Sequence, residues 1–237
     1  MQRYAILVEG PPGAGKSTMC KLISKYYNAK PIVENVNDWN VYNHNNKSIA
    51  IINGKNYEES LLTFLDAIKK YKRNEIELRD LQLISSTFQI ITRTSRYLDF
   101  DNWKNGNDNS LFDRFLLGDL HLFGKNYNEK GYTVNATYES MENLVYRGIK
   151  YLNECFDKIV VLDLGIDFDK LKERILLRSR DGEDVYKDCE IREFIEYHEK
   201  SITEYKEMGF KVVTMFKDME IDEKEEWLRN NSINALW

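Results

Sequence analysis

The chain has 237 residues, of which 42% are hydrophobic and 13% aromatic, a composition that can fill the core of one sizeable domain. Its formal net charge of -5 excludes the proteins that hold nucleic acid through a large basic excess, although a local group of cations can still bind a small phosphorylated ligand. The three cysteines lack disulfide or metal-site spacing and no apolar run approaches a membrane span, so we expect a cytoplasmic protein with no nucleic-acid or membrane partner.

A phosphate-binding loop is predicted near the start of the chain. The apolar run Tyr4 to Val8 predicts a strand, a helical segment follows from Thr18 to Tyr27, and between them Gly10 to Ser17 fits the pattern G-x-x-x-x-G-K-[ST]. The glycines let backbone N-H groups turn toward phosphate oxygens, while Lys16 can reach the outer phosphates and Ser17 can ligate Mg²⁺. The predicted site for the phosphates of a nucleotide consists of Gly10, Gly13, Ala14, Gly15, Lys16, Ser17 and Thr18.

A second strand and two long helices are predicted next. The strand covers Lys30 to Val33 and places Glu34 at the carboxyl edge of the sheet, where ligands of open parallel sheets bind. Residues 35–56 show little periodicity and are predicted as loop. The spacing of apolar residues then predicts amphipathic helices over about 57–71 and 77–98.

The second half of the chain continues to alternate strand and helix patterns. Its predicted elements are a strand at 110–112, a helix at 115–123, a polar loop with Gly124 and Gly131, a helix at 137–155, a strand at 158–164, a helix at 167–178, a polar segment at 181–188, a helix reaching Met208, a strand at 211–215 and a C-terminal helix. This alternation predicts an α/β fold, with a five-stranded parallel sheet covered by helices on both faces, and we expect one domain over residues 1–237.

Several motifs after the phosphate loop resemble the deoxyribonucleoside kinase family, in the family's order. Glu34 to Trp39 is similar to the E-P-V-x-x-W segment, and Thr87 to Gln89 followed by Arg96 resembles the base-reading helix. Asp113 to Phe115 resembles the E-R-S or D-R-S motif, and Asp119 stands at the spacing where deoxycytidine and deoxyguanosine kinases keep an Asp. The resemblance implies a P-loop kinase that uses ATP and Mg²⁺, phosphorylates a deoxynucleoside in nucleotide salvage, and forms a homodimer.

The C-terminal part of the resemblance concerns the donor side. Residues 174–180 followed by Glu183 resemble the family's lid, which implies a lid at about 174–188, and residues 194–200 resemble the helix that follows it. The resemblance further implies that the base of ATP rests near Arg178 and the loop around Lys217 and Asp218.

The chain departs from the family pattern at several positions. Pro11 and Pro12 replace the usual Asn-Ile, Asn35 replaces a Pro, and Asp113 replaces the commoner Glu. The lid carries Asp181-Gly182-Glu183 where a pair of glutamates is typical, and the tyrosine that contacts the sugar 3′-hydroxyl has no clear counterpart.

The residues outside the loop suggest how phosphoryl transfer is catalysed, because this reaction needs positioning and charge neutralisation more than covalent chemistry. Glu34 is a candidate base for the 5′-hydroxyl proton, or else it caps a turn or pairs with an arginine. Asp113 and Arg114 offer a carboxylate to the metal and a guanidinium to phosphate or acceptor, or else they form a strand-end salt bridge. Arg178 and Arg180 are predicted to close over the transferring phosphoryl group and exclude water.

The base pocket is predicted to contain Gln89, Arg96 and Asp119, or else Arg96 and Asp119 are an unrelated surface arginine and helix aspartate. A Gln amide offers a donor and an acceptor to a base edge, and an Arg-Asp pair suits an exocyclic amino group while it fills the space of a thymine methyl group. We therefore predict deoxyadenosine, deoxyguanosine or deoxycytidine as the best substrate, and thymidine as a poor one. Trp39 either walls the sugar pocket or packs in the core, and Glu183 is predicted to contact the substrate.

Two alternative functions stay open at this point. A thymidylate-kinase-like enzyme would share the loop, the Asp-Arg motif and the lid but would accept a monophosphate, with Arg93 as one possible extra cation. A non-catalytic nucleotide-binding protein could have the same fold, although it would not need the candidate base Glu34.

Overall fold

The computed structural model describes residues 2–27, 29–32, 43–44, 47–48, 57–97, 109–178, 186–217 and 219–237. Side chains are described for the same residues except 30–32, 43–44, 47–48, 57–63, 91–97 and 178. Within this part of the chain, no helix has the length and apolar character needed to cross a membrane.

A five-stranded parallel sheet lies at the centre of the described structure, and it confirms the predicted α/β fold class. Its strand order is β2-β5-β1-β6-β7, with β1 at Tyr4–Glu9, β2 at Ala29–Ile32, β5 at Asn109–Asp113, β6 at Lys158–Asp163 and β7 at Lys211–Val213. A short antiparallel pair, β3 at Asn43–His44 and β4 at Lys47–Ser48, forms in the segment that was predicted as loop.

The register of the central strands brings acidic residues to one edge of the sheet. Val8 of β1 lies opposite Asp113 of β5, and Glu9 lies opposite Asp163 of β6. Because the strands are parallel, their carboxyl ends share this edge, and the phosphate loop leaves β1 from the same edge.

Helices connect the strands in the predicted alternation. They are α1 (Lys16–Tyr26), α2 (Tyr57–Lys72), α3 (Leu78–Tyr97), α4 (Leu116–Asp119), a π-helical segment (Leu120–Lys125), α5 (Asn126–Glu129), α6 (Asn135–Cys155), α7 (Phe168–Arg178), α8 (Asp188–Glu207), α9 (Ile221–Asn230) and a final 3₁₀ turn (Ile233–Leu236).

The polar loop predicted with Gly124 and Gly131 does contain Gly131, in a turn with a φ angle of 71°, but it begins later than predicted, because helical structure continues without a break from Leu116 to Glu129. Gly124 serves close packing here: a Cβ atom at this position would lie 3.1 Å from the Cε atom of Met141 on α6. The glycine therefore lets the helix approach its neighbour and does not end it.

The hydrophobic core has one cluster on each face of the sheet, as alternating side chains of β1 require. Ile6 and Val8 pack with apolar residues of α1, α7 and α9. Ala5 and Leu7 pack on the other face with residues of α4, α6 and α8. Glu9 follows Leu7 by two positions and therefore shares the face covered by α4, α6 and α8.

Candidate active site

The phosphate loop has the backbone geometry that its glycines predict. Gly13 and Gly15 have φ angles of 92° and 91°, a left-handed conformation that side chains disfavour. The ammonium group of Lys16 donates hydrogen bonds to the carbonyl oxygens of Gly10 and Pro11, both at 2.9 Å. The loop thus closes around its own lysine at the N-terminus of α1, where backbone N-H groups favour an anion.

Ser17 and Asp113, the two predicted metal ligands, are brought together. The Ser17 hydroxyl donates a hydrogen bond to Oδ2 of Asp113 at 2.5 Å. No group of three or more His, Cys, Asp or Glu residues suited to a metal occurs in the described part of the chain. A hydroxyl and a carboxylate nevertheless fit Mg²⁺, which prefers oxygen ligands and keeps most of its coordination positions for water and substrate phosphates.

Arg114 follows Asp113 in a strained conformation. Its φ angle of 59° is left-handed, which costs a residue with a side chain about 1–3 kcal/mol. Its N-H donates to the carbonyl oxygen of Val8 at 2.9 Å. The buried guanidinium lies 3.7 Å from the carboxylate of Asp119 and 5.0 Å from the ring centre of Phe123. Backbone and side-chain contacts together hold this cation at the same edge as the phosphate loop.

Glu9, which sequence reasoning missed, lies fully buried at the end of β1, directly before the loop. Its Oε1 accepts hydrogen bonds from the backbone N-H of Phe115 and the hydroxyl of Tyr205, both at 2.9 Å. Burial raises the pKa of Glu9 to about 8, and the nearby charge of Asp119 adds to this, while the two hydrogen bonds and Arg114 act in the opposite direction. The one signal in the sequence was an acidic residue at the end of an apolar strand.

Asp163 and His198 form a second buried pair, on the neighbouring strand. Oδ1 of Asp163 accepts hydrogen bonds from Nε2 of His198 at 2.7 Å and from the N-H of Gly165 at 2.8 Å. Burial alone would raise the pKa of Asp163, but the hydrogen bond and charge of His198, with the Gly165 N-H and Lys217, outweigh it and lower the pKa. His198 therefore stabilises a specific carboxylate.

Lys217, predicted to contact ATP, lies close to this pair. A Cβ atom at Gly165 would be 3.1 Å from the Cε atom of Lys217. Lys217 also borders a cavity of about 320 Å³ that extends to Pro11 of the phosphate loop and to His198. Asp218, its predicted partner, lies outside the described residues.

Helix α7 contacts the phosphate loop through Arg174. Its Nη1 atom lies 3.4 Å from the carbonyl oxygen of Ala14, so this arginine faces the loop. Arg178 ends α7, and its side chain is outside the described set. The predicted site residues Glu34, Trp39, Arg180 and Glu183 also lie outside the described residues.

The predicted base-reading residues lie in or beside a buried polar cluster. Gln89 is 2% exposed, and its Nε2 donates to the carbonyl oxygen of Phe123 at 3.1 Å and to the Thr133 hydroxyl at 3.3 Å. Asp119 is fully buried and pairs with Arg114. Arg96 lies on α3, but its side chain is not described, so its predicted pairing with Asp119 stays a prediction.

Comparisons with known proteins identify the family of the chain and relate its fold to solved structures. The model of the family described as deoxynucleoside kinase matches residues 6–235. Solved structures of deoxyadenosine kinase from M. mycoides, with bound dCTP and with bound dATP, are similar in fold, each with a TM-score of 0.63 and 21% identity over 95% of this chain and 97% of that one. A structure of the same enzyme with the products dCMP and a flexible dCDP has a TM-score of 0.63 and 20% sequence identity to this chain. A search of curated protein sequences finds no match.

Proposed function

The chain belongs to the deoxynucleoside kinase family and is a phosphotransferase that acts on nucleosides, and from this premise we propose a specific reaction. The γ-phosphoryl group of ATP passes to the 5′-hydroxyl of deoxyadenosine, deoxyguanosine or deoxycytidine, as a step of nucleotide salvage. The observation that carries this proposal is the contact between Ser17 and Asp113, because it joins the phosphate loop to the Asp-Arg motif. The family match disfavours both a monophosphate kinase and a non-catalytic protein.

The donor side is proposed to work by exchange of hydrogen bonds. Lys16 now donates to the loop carbonyls of Gly10 and Pro11, and on ATP binding it would donate to phosphate oxygens instead. Ser17 and Asp113 would hold Mg²⁺, which neutralises charge on the phosphates when bound. Loop N-H groups and Arg174 would complete the positive surroundings of the donor, and Arg178, Lys217 and Asp218 would contact its base.

The acceptor side is proposed to need a base, a guanidinium and a closed lid. Glu34 would accept the proton of the 5′-hydroxyl, and in the sequence it comes two residues after Ile32, the last residue of β2. Arg114, held by its strained backbone, would stabilise the transferring group. Arg178 and Arg180 would close over this group and exclude water, with Trp39 and Glu183 around the sugar.

The base pocket is proposed to favour bases with an exocyclic amino group. Gln89 is buried and donates a hydrogen bond to the carbonyl oxygen of Phe123, and Asp119 is buried at the end of α4, so neither side chain is solvated. Arg96 would complete the pocket from α3. The similar solved structures are of a deoxyadenosine kinase, which supports deoxyadenosine among the three candidates.

A transfer assay with labelled ATP tests the proposal. The four deoxynucleosides and their monophosphates are offered separately, with Mg²⁺ and with a chelator. We expect labelled monophosphate from deoxyadenosine, deoxyguanosine or deoxycytidine, little from thymidine, and none without the metal. Transfer only to monophosphates, or the highest kcat/KM with thymidine, would contradict the proposed substrate.

We also propose a homodimer that uses an outward face of α3. Leu83 and Ile90 are 69% and 43% exposed and lie seven residues apart, so they share one face of the helix, opposite the buried Leu81 and Phe88. Exposed apolar residues on one face favour association with a second copy. Light scattering should give the mass of a dimer, and Leu83→Glu with Ile90→Glu should shift it toward a monomer. An unchanged mass would place the interface elsewhere.

A cytoplasmic location is proposed on the state of the cysteines. Cys20 and Cys155 are buried and Cys189 is exposed, and all three are free thiols. Free thiols are typical of proteins in a reducing compartment. Fractionation of cells that produce the chain would test this.

A further inference from the structure

The carboxyl group of Glu9 continues the hydrogen-bond ladder of the sheet past the end of the strands. Arg114 donates its N-H to the carbonyl oxygen of Val8 at 2.9 Å, as the next rung between β1 and β5. The following N-H, that of Phe115, donates to the side chain of Glu9 at the same distance. The N-H groups of Arg114 and Phe115 flank the strained φ and ψ angles of Arg114. Val8 and Glu9, two successive residues of β1, thus hold both of these N-H groups.

The second oxygen of Glu9 lies against the helix that begins after Arg114. A Cβ atom at Gly118 would collide with Oε2 of Glu9, so only glycine leaves room for the carboxyl group. Oε2 itself has no hydrogen-bond partner among the described residues. The start of α4 and the carboxyl group therefore fix each other's position.

A third element, α8, holds the carboxyl group from the far side. The hydroxyl of Tyr205, itself fully buried, donates to the same Oε1 atom at 2.9 Å. The carboxyl group, which extends from the end of β1, is consequently held by the Phe115–Gly118 segment and by α8, with little freedom to rotate.

We propose that Glu9 is a positioning residue that holds Arg114 in its left-handed conformation and so aims the guanidinium group at the transferring phosphoryl group. This inference rests on the proposed function, which gives Arg114 its role toward that group. Glu9 acts through the Phe115 N-H and makes no contact with substrate.

The charge state of Glu9 matters because a cation lies nearby. The groups that face it are Arg114 and Asp119 from the segment after β5, Tyr205 from α8, and Asp163, with its partner His198, from the neighbouring strand. With a pKa of about 8, the carboxyl group is neutral at neutral pH. A neutral group holds the backbone of Arg114 without competing with the substrate for its charge, whereas ionisation at higher pH places an anion beside it.

The test compares Glu9→Ala, Glu9→Gln and Tyr205→Phe with the wild-type chain in the labelled-ATP assay. We expect Glu9→Ala to lower kcat by about 10- to 100-fold, with KM for ATP and nucleoside changed by less than about threefold, since misplacement of a transition-state group acts on kcat. Glu9→Gln keeps an acceptor for Phe115 and should recover most of kcat at about pH 7.

The pH profile distinguishes positioning from a merely structural role. Wild-type kcat should fall above a pH of about 8 as one proton is lost, and Glu9→Gln should lack this fall. Tyr205→Phe removes a hydrogen bond that lowers the pKa of Glu9, so the fall of kcat in this variant should move to higher pH. Tyr205→Phe also keeps the test valid if Glu9→Ala does not fold.

Glu204→Gln is the matched control, because Glu204 is also hydrogen-bonded, to Tyr146 and His121, and precedes Tyr205 on α8. It should keep the wild-type kcat and pH profile. Three results would overturn the inference. In the first, kcat of Glu9→Gln falls at alkaline pH as much as that of the wild type. In the second, the fall of kcat in Tyr205→Phe stays at the wild-type pH, and in the third, Glu9→Ala changes KM alone. A wild-type chain that phosphorylates no deoxynucleoside would instead overturn the proposed function.

Discussion

The hydroxyl of Ser17 lies 2.5 Å from the carboxylate of Asp113, so the helix after the phosphate loop and the strand beside it meet in one hydrogen bond. Both residues carry oxygen ligands that suit a hard divalent cation. Neither residue needs to move far for both to contact the same ion, since they already contact each other.

Asp113→Asn and Ser17→Ala should each weaken the use of Mg²⁺. We expect the Mg²⁺ concentration for half-maximal activity to rise about tenfold or more in Asp113→Asn, because a neutral amide is a poorer ligand than a carboxylate, and less in Ser17→Ala. A titration of activity with Mg²⁺ at saturating ATP measures this. Ser140→Ala, which removes an exposed hydroxyl on α6, is the control. The same half-maximal concentration in Asp113→Asn as in the wild type would remove Asp113 from the metal site.

Lys16→Ala and Arg114→Ala should each abolish most transfer. Loss of one such cation in phosphoryl transfer costs on the order of 10³-fold in rate. The exposed cations Arg147 and Lys150 of α6 supply controls, Arg147→Ala and Lys150→Ala, that change the net charge equally. Single-turnover rates and thermal unfolding of all four variants separate catalysis from folding. Activity within about tenfold of wild type would place that residue outside the site.

Glu34→Gln should lower kcat by roughly 10² to 10⁴ and change nucleoside affinity much less, since the amide keeps the shape but cannot accept a proton. Steady-state kinetics give kcat, and binding of the nucleoside without ATP gives the affinity. A main effect on affinity would make Glu34 a binding residue, and the base would have to be sought elsewhere.

Replacement of both Arg96 and Asp119 by small apolar residues should raise the relative kcat/KM for thymidine by about tenfold or more, because it opens space for the thymine methyl group. Replacement of Arg96 alone should change the preference less, because the carboxylate of Asp119 would still occupy part of that space. Asp119 also lies 3.7 Å from Arg114, so its single replacement should lower kcat with every nucleoside. A double variant with unchanged preference would show that the pair does not read the base.

Glu9 should make the wild-type chain less stable as the pH rises toward 8. Its pKa is raised from 4.5 in a model peptide to about 8 in the fold, so between these values the native state holds a proton that the unfolded state has lost. The free energy of unfolding of the wild type should then fall by about 1.4 kcal/mol per pH unit relative to Glu9→Gln. Urea unfolding of both proteins at a series of pH values measures it. A difference that stays constant with pH would contradict the raised pKa.

The sheet and much of the donor site could be predicted because their signals are local or topological. Apolar runs marked each strand of the central sheet, and the loop pattern placed Lys16 and Ser17 at the start of α1. The meeting of Ser17 with Asp113 follows from the pairing of β1 with β5, since parallel neighbours end at one edge.

The remaining features depend on contacts between distant parts of the chain. Gly124 carries the usual signal of a loop, but packing against Met141 keeps it in a helix. The left-handed Arg114 has no local signature, since its conformation results from bonds to β1. Arg174 could have faced solvent or the loop, and only the packing of α7 decides between them.

The collision that any side chain at Gly118 would make with Glu9 also limits how this chain can evolve. A side chain at position 118 fits only after the glutamate has become shorter, whereas a shorter residue at position 9 fits without any change at the glycine, although it gives up the hydrogen bonds of the carboxyl group. The order of the two substitutions is therefore fixed, and a lineage that has filled the space at position 118 cannot regain a glutamate at position 9 in a single step.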